Sequence, residues 1–209
     1  MDKSYGTVMT EAEADFVEKR SRFIGRCRPV TTEEEAQAFI AAARKNHWDA
    51  AHNVWAYVLR GGVMRYSDDG EPQGTAGQPA LNVLLKRELT DCAVVITRYF
   101  GGILLGAGGL TRAYTQGAVI AVEAAGEVDM RPCLRGDIDC SYAQYGMVAP
   151  LVAACGGVVE DAAYGEAVRV RFHLPAEGRE ALQQALTEKS CGSLSIKEVE
   201  KIYLPFPRK

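Results

Sequence analysis

Two segments hold most of the side chains able to do chemistry. The first is acidic: Asp68, Asp69 and Glu71 lie in a loop shaped by Gly70 and Pro72. Carboxylates so placed could hold a divalent cation beside a phosphate, or could pair with arginines elsewhere in the fold. The second runs Thr97-Arg98-Tyr99-Phe100-Gly101-Gly102 and on to Gly106-Ala107-Gly108-Gly109-Leu110-Thr111-Arg112. A strand entering a Gly-rich turn and then a helix leaves backbone amides free at the helix N-terminus, where an anion is stabilised. The same glycines would equally serve close packing and positive φ. Arg112, in the first helical turn, opposes the helix dipole and needs a carboxylate or an external anion as partner. Arg98 flanks the same turn. Pairing of the acidic loop with Arg98 and Arg112 is the preferred arrangement. The candidate ligand- or nucleic-acid-binding set is therefore Arg98, Tyr99, Gly101, Gly102, Gly108, Gly109, Arg112, Asp68, Asp69, Glu71 and His52.

Better-known chemistries find little support. Gly-Lys-Ser/Thr is missing, so there is no P-loop, and Gly106–Thr111 lacks the third glycine of the dinucleotide fingerprint. The acidic loop lacks the 1-3-5 spacing and closing glutamate of an EF-hand. The histidines, His47, His52 and His173, form neither His-x-x-x-His nor His-Glu-x-x-His. His52 reads as a hydrogen-bonded histidine at the core edge in preference to a general base. Ser67 has no nucleophile-elbow setting. No catalytic residue, metal ligand or cofactor is assigned. Six scattered cysteines without a Cys-x-x-Cys pair read as reduced core thiols.

These residues need elements to position them. Asp15–Glu18 and Ser21–Pro29 suggest a β-hairpin. Thr32-Glu33-Glu34-Glu35 fits a capping box, and Ala36, Phe39, Ile40 and Ala43 follow at helical spacing through 45. A strand over 51–60 precedes a long structureless loop at 61–79, and long loops are often functional. A helix over 78–87, a buried strand over 91–99 and a helix over 109–125 complete a β-β-α-β-α-β-α order. Met130-Arg131-Pro132-Cys133 marks a boundary. Beyond it, strands at 134–141, 158–164, 167–174 and 193–203 and helices at 142–155 and 176–189 give β-α-β-β-α-β, the ferredoxin-like unit. The expected class is α+β, with domains at 1–132 and 136–209. On the second sheet, Arg169, Arg171 and His173 alternate with Val168, Val170 and Phe172, and Asp137 and Asp139 are expected on the same outer face. That face lacks the aromatics of an RNA-recognition sheet, so internal charge pairing is expected there, with a protein partner next and RNA last.

Apolar residues make up 47% and charged residues 24% of the chain, which excludes wholesale disorder. The net charge of −3 divides as −1 over 1–135 and −2 over 136–209. A nucleic acid must therefore bind through a local patch. No apolar run is long enough to cross a membrane and no apolar leader follows Met1, so a cytoplasmic location is expected.

Ser67–Pro79, Arg98–Gly102 and Gly106–Tyr114, with Lys19–Phe23 and Ala51–Val58, resemble the signatures of the IMPACT family, in its bacterial YigZ-like branch. The resemblance covers nearly the whole chain. It implies an N-terminal domain like the second domain of a small-subunit ribosomal protein and a ferredoxin-like C-terminal domain like the last domain of elongation factor G. Both likenesses point toward RNA or the ribosome as partner and toward regulation of translation. Eukaryotic members act on the amino-acid-starvation kinase pathway with an added RWD domain, which has no counterpart in this sequence, and the family has no catalytic residues to carry over. The leading expectation is a non-enzymatic protein associated with RNA or ribosomes. The rivals are an enzyme on a phosphorylated or nucleotide-like small molecule, using metal-binding carboxylates, and a protein-interaction module.

Overall fold

The computed structural model describes residues 3–208, with side chains throughout except at 198 and 199; the extreme ends of the two expected domains lie outside the described residues. The chain divides into two units, with breaks after Ser4, Asp129 and Leu204.

The first unit, Tyr5–Asp129 with the residues from Pro205 onward, is built on a five-stranded sheet. Its strands are β2 (Ala12–Glu18), β3 (Ser21–Pro29), β4 (His52–Leu59), β5 (Val63–Ser67) and β6 (Cys92–Tyr99), in the antiparallel order β2-β3-β6-β4-β5. Both faces are covered, and the period-two alternation of the strands sorts the core accordingly. On one face Val54, Ala56, Val94 and Ile96 meet α2 (Gly77–Lys86) and α3 (Ala107–Ala125). On the other, Tyr57, Leu59, Ala93 and Val95 meet Ala36, Phe39, Ile40 and Ala43 of α1 (Glu33–Asn46). Central β6 is therefore apolar without alternation, and Cys92–Ile96 are fully buried. The helix α3 lies unusually close to the sheet. A Cβ on Gly25 of β3 would stand 2.2 Å from the Gly117 carbonyl oxygen, so only glycine allows this approach.

Two strands escape the sequence reading. Short β1 (Tyr5–Val8) pairs with β7 (Glu127–Cys140), a strand that begins in this unit. In the supposedly structureless 61–79 segment, β5 pairs along β4 from Leu59↔Val63 to Trp55↔Ser67. As an edge strand with no buried residue, it shows no apolar alternation. The capping box is only half formed. Thr32 Oγ1 accepts from the Glu35 amide at 3.2 Å, but the Glu35 carboxylate turns to the amide and hydroxyl of Thr31, at 2.6 and 3.0 Å.

The second unit comprises Met130–Leu204 with Lys3 and Ser4. Strands β8 (Val158–Tyr164), β9 (Val168–Pro175) and β10 (Lys197–Pro207) join β7 in the order β10-β7-β9-β8. With helices α4 (Tyr142–Ala154) and α5 (Arg179–Ser190) this is the β-α-β-β-α-β order of the ferredoxin-like unit, with a core of Leu134, Ile138, Val152, Val170, Phe172 and Leu186. Ser141 and Gln144 close a full capping box on α4. The Pro132 segment, read as a domain boundary, lies inside β7, whose pairing with β9 begins at Cys133. The last residues leave this unit: Arg208 Nη1 donates to the Arg87 carbonyl at 2.5 Å and lies 3.4 Å from Glu127. Four cysteines are buried as expected, whereas Cys155 is half-buried and Cys191 exposed; all six are free. No helix among the described residues is long and apolar enough to cross a membrane.

Candidate functional site

The three carboxylates of the acidic loop do three different jobs. Asp68 organises the backbone, accepting from the amides of Gly74, Ala76 and Gly77 at 2.8, 3.0 and 2.8 Å. It thus caps α2 from eight residues upstream, satisfying amides that Ala76, at the cap position, cannot. Asp69 accepts from the Asn53 amide and from Arg44, each at 2.6 Å, and its own carbonyl accepts from His52 Nδ1 at 2.8 Å. A carbonyl only accepts, so His52 Nδ1 carries a proton and donates it. Glu71 is the buried member. Its Oε1 accepts from Arg98 Nη1 at 2.6 Å and from the Tyr114 hydroxyl at 2.7 Å, and His52 Nε2 lies 3.8 Å away.

The expected pairing thus forms between Glu71 and Arg98, whose side chains are 4% and 6% exposed. The Arg98 guanidinium also lies over the rings of Phe23 and Phe100, at 5.5 and 5.4 Å. Burial, joined by the Glu71 charge, raises the Tyr114 phenol far above its usual range, so this hydroxyl remains a neutral donor. Arg112 does not join the pairing: among the described residues it has no salt bridge, and its side chain is exposed beside Gly108. Tyr99 turns away, with its hydroxyl 3.0 Å from His47 Nδ1 and 3.1 Å from Asp49.

The Gly turn shows two separate requirements. A Cβ on Gly101 would stand 2.1 Å from the Arg20 carbonyl, so this glycine lets the end of β6 lie against the β2–β3 turn. Gly106, at φ 72°, forms the N-cap of α3 without a side-chain cap, and no acidic residue follows in the first turn. The start of α3 therefore keeps its positive end uncompensated by protein side chains. Arg112 is close by, and so is Lys19, since both line a hollow of about 160 Å³ with Glu18, Leu105, Gly109 and Gln116. Leu105 also walls a second hollow of about 450 Å³, floored by His52, Glu71 and Arg98 and walled by Pro72, Phe100 and Leu104.

Lys19 and Arg20 were not among the candidate residues. They are the two-residue turn between β2 and β3, both exposed, at φ 44° and 67°. Such turns favour Asn-Gly, and a basic dipeptide in their place was the available signal. Phe100, Leu104 and Ile103 are also exposed around the turn, at 51%, 82% and 40%.

On the C-terminal sheet the basic side chains are taken. Arg169 and Arg171 each make two hydrogen bonds to the directly opposed Asp139 and Asp137, Lys197 reaches Asp139 at 2.5 Å, and Arg135 and His173 share Glu160. The internally paired face expected from the alternation is present. Reactive thiols are lacking in the core: burial pushes Cys92 up to about 12 and raises Cys27 well above its usual range. Among the described residues no three His, Cys, Asp or Glu side chains converge to hold a metal.

An α/β-layered domain with a Gly-rich helix start and a buried Glu-Arg-Tyr cluster, followed by a ferredoxin-like unit, defines a two-domain α+β protein. Residues 19–122 match the Impact N-terminal domain, and residues 138–193 match a domain of unknown function, DUF1949. The chain is 38% identical over 203 residues to the IMPACT family member YvyE of Bacillus subtilis, covering 96% of this chain and 94% of that protein. It is 34% identical to the IMPACT family member YigZ of Escherichia coli, covering 88% and 92%. A crystal structure of a hypothetical protein, 32% identical, superposes with a TM-score of 0.60 over 96% of this chain and 99% of that one. The chain belongs to the IMPACT family.

Proposed function

We propose that this protein associates with RNA or ribosomes, without catalysis of its own, and acts in the regulation of translation. One observation carries the reading. Lys19 and Arg112 stand exposed beside the uncapped start of α3, with Arg20 next to Lys19 in the β2–β3 turn; none of the three has a salt bridge among the described residues, although Glu18 lines the same hollow, in a chain whose net charge is −3. Most other arginines are paired with carboxylates, so basic side chains left out of salt bridges near a helix N-terminus supply the local patch that phosphate binding requires. Exposed Phe100 beside it adds a ring on which a base can stack. The ribosomal likeness implied by the sequence motifs points the same way.

The rival small-molecule reading is favoured by the 450 Å³ hollow over His52 and Glu71. Against it, the acidic loop commits its carboxylates to backbone amides and arginines, leaving none directed at a substrate-bound metal. Crosslinking in cells with sequencing of the bound RNA tests the proposal. Recovery of defined RNA segments with the wild type, much reduced for Arg112→Ala at equal protein level, is expected. Equal recovery from the two, at the level of an unrelated protein, would refute it.

A further inference from the structure

The second hollow has a construction the phosphate patch does not explain. Its walls are apolar and exposed at the rim, where Phe100 is 51% and Leu104 82% exposed, while its floor is polar, with Glu71 and Arg98 buried and His52 half-buried. Arg98 makes one strong bond, to Glu71, and a long 3.5 Å contact to Ser21; its Nε has no partner although the side chain is 94% buried. Beside it, His52 Nε2 lies 3.8 Å from the Glu71 carboxylate, too far for a direct hydrogen bond, and the ring is held in place by the Nδ1 bond to the Asp69 carbonyl. The floor thus sets the Glu71 carboxylate and the His52 ring next to a guanidinium whose buried Nε lacks a partner, between an aromatic ring and aliphatic walls. The uncapped start of α3, at Gly106 and Ala107, forms the neighbouring rim. About 450 Å³ lies within the range of small-ligand sites.

From this we infer that the hollow receives one unstacked nucleobase, its ring on Phe100 and its pairing edge toward His52, Glu71 and Arg98, with the attached phosphate at the α3 start. Every nucleobase edge carries both donors and acceptors, which can meet the Glu71 carboxylate, the His52 ring and the Arg98 guanidinium, and base–aromatic stacking is indifferent to base identity. The site deepens the RNA reading and rests on it for the source of the nucleotide, because a free mononucleotide carries the same chemistry. Single-stranded RNA is thereby selected over duplex, whose bases are stacked and paired.

The test uses the full-length protein and three probes: a single-stranded decamer carrying one 2-aminopurine, the same decamer in a duplex, and a mixture of the four nucleoside monophosphates. Binding of the single strand with a change in 2-aminopurine emission is expected, with the duplex weaker. Phe100→Ala should weaken single-strand binding about tenfold or more, and Leu104→Ser should weaken it less; both side chains are exposed, so a thermal melt should show folding intact. Binding of mononucleotides alone, lost in Phe100→Ala, would keep the nucleobase site, assign it to a free nucleotide and sink the RNA reading. Salt-dependent RNA binding that treats duplex and single strand alike and ignores Phe100→Ala would overturn the base site and leave the phosphate patch standing. Binding of no probe would overturn both.

Discussion

Arg98 and Glu71 are the residues on which the site depends. A buried guanidinium is tolerated only with its counter-charge, so removing one partner leaves an uncompensated ion. Glu71→Ala is expected to destabilise the N-terminal unit by about 3–5 kcal/mol. Tyr114→Phe, which removes one hydrogen bond to the carboxylate, should cost about 1.5–3 kcal/mol. Both tryptophans, Trp48 and Trp55, belong to this unit, so urea denaturation followed by their fluorescence reads it alone. A loss under about 1 kcal/mol for Glu71→Ala would mean that water compensates Arg98. At this scale the sequence was legible in kind: opposite charges in two Gly-rich segments announced a pairing. Which carboxylate met which arginine was not legible, because it depends on how the 67–77 turn folds around Asp68. That turn is closed by hydrogen bonds to backbone amides, which leave no signature in residue type.

At the scale of elements, readability followed burial. The α1 stripe of Ala36, Phe39, Ile40 and Ala43 was plain from spacing, since one face is buried and the other is not. Edge strand β5 and four-residue β1 were invisible for the opposite reason: backbone pairing, rather than a patterned apolar face, defines them. The β2–β3 turn is where structure and function pull apart. Non-glycine residues at positive φ cost about 1–2 kcal/mol each, yet Lys19 and Arg20 occupy both positions. The double variant Lys19→Asn/Arg20→Gly, matched to the turn, is expected to gain about 1–2 kcal/mol in the same fluorescence-monitored denaturation. It should at the same time bind RNA more weakly than wild type. A stabilised variant with undiminished RNA binding would remove these two residues from the proposed interface.

For the whole molecule, the two units distribute charge differently. The C-terminal sheet spends its basic side chains internally, and its response to acid follows from that. Hydrogen bonds from Arg169, and then Lys197, hold Asp139 well below its usual value. Its folded pKa lies beneath the unfolded value of about 3.9, so its stabilising contribution is complete above that value and disappears as pH falls through the folded pKa. Hydrogen exchange of the β7–β9 amides should therefore show Asp139→Asn less protected than wild type near neutrality. The two should converge in strong acid, and a difference independent of pH would assign the effect to packing. The N-terminal unit instead leaves Lys19 and Arg112 beside the start of α3, and neighbouring Arg20, outside its salt bridges among the described residues, and the proposed function rests on that contrast. Its most direct test is the salt dependence of binding to a single-stranded RNA. Three phosphate contacts at about 0.7 counterions each give a slope of about −2 in log Kobs against log salt, and Arg112→Ala should reduce its magnitude by about 0.7. A slope near zero, or one unchanged by Arg112→Ala, would contradict RNA binding at this helix start.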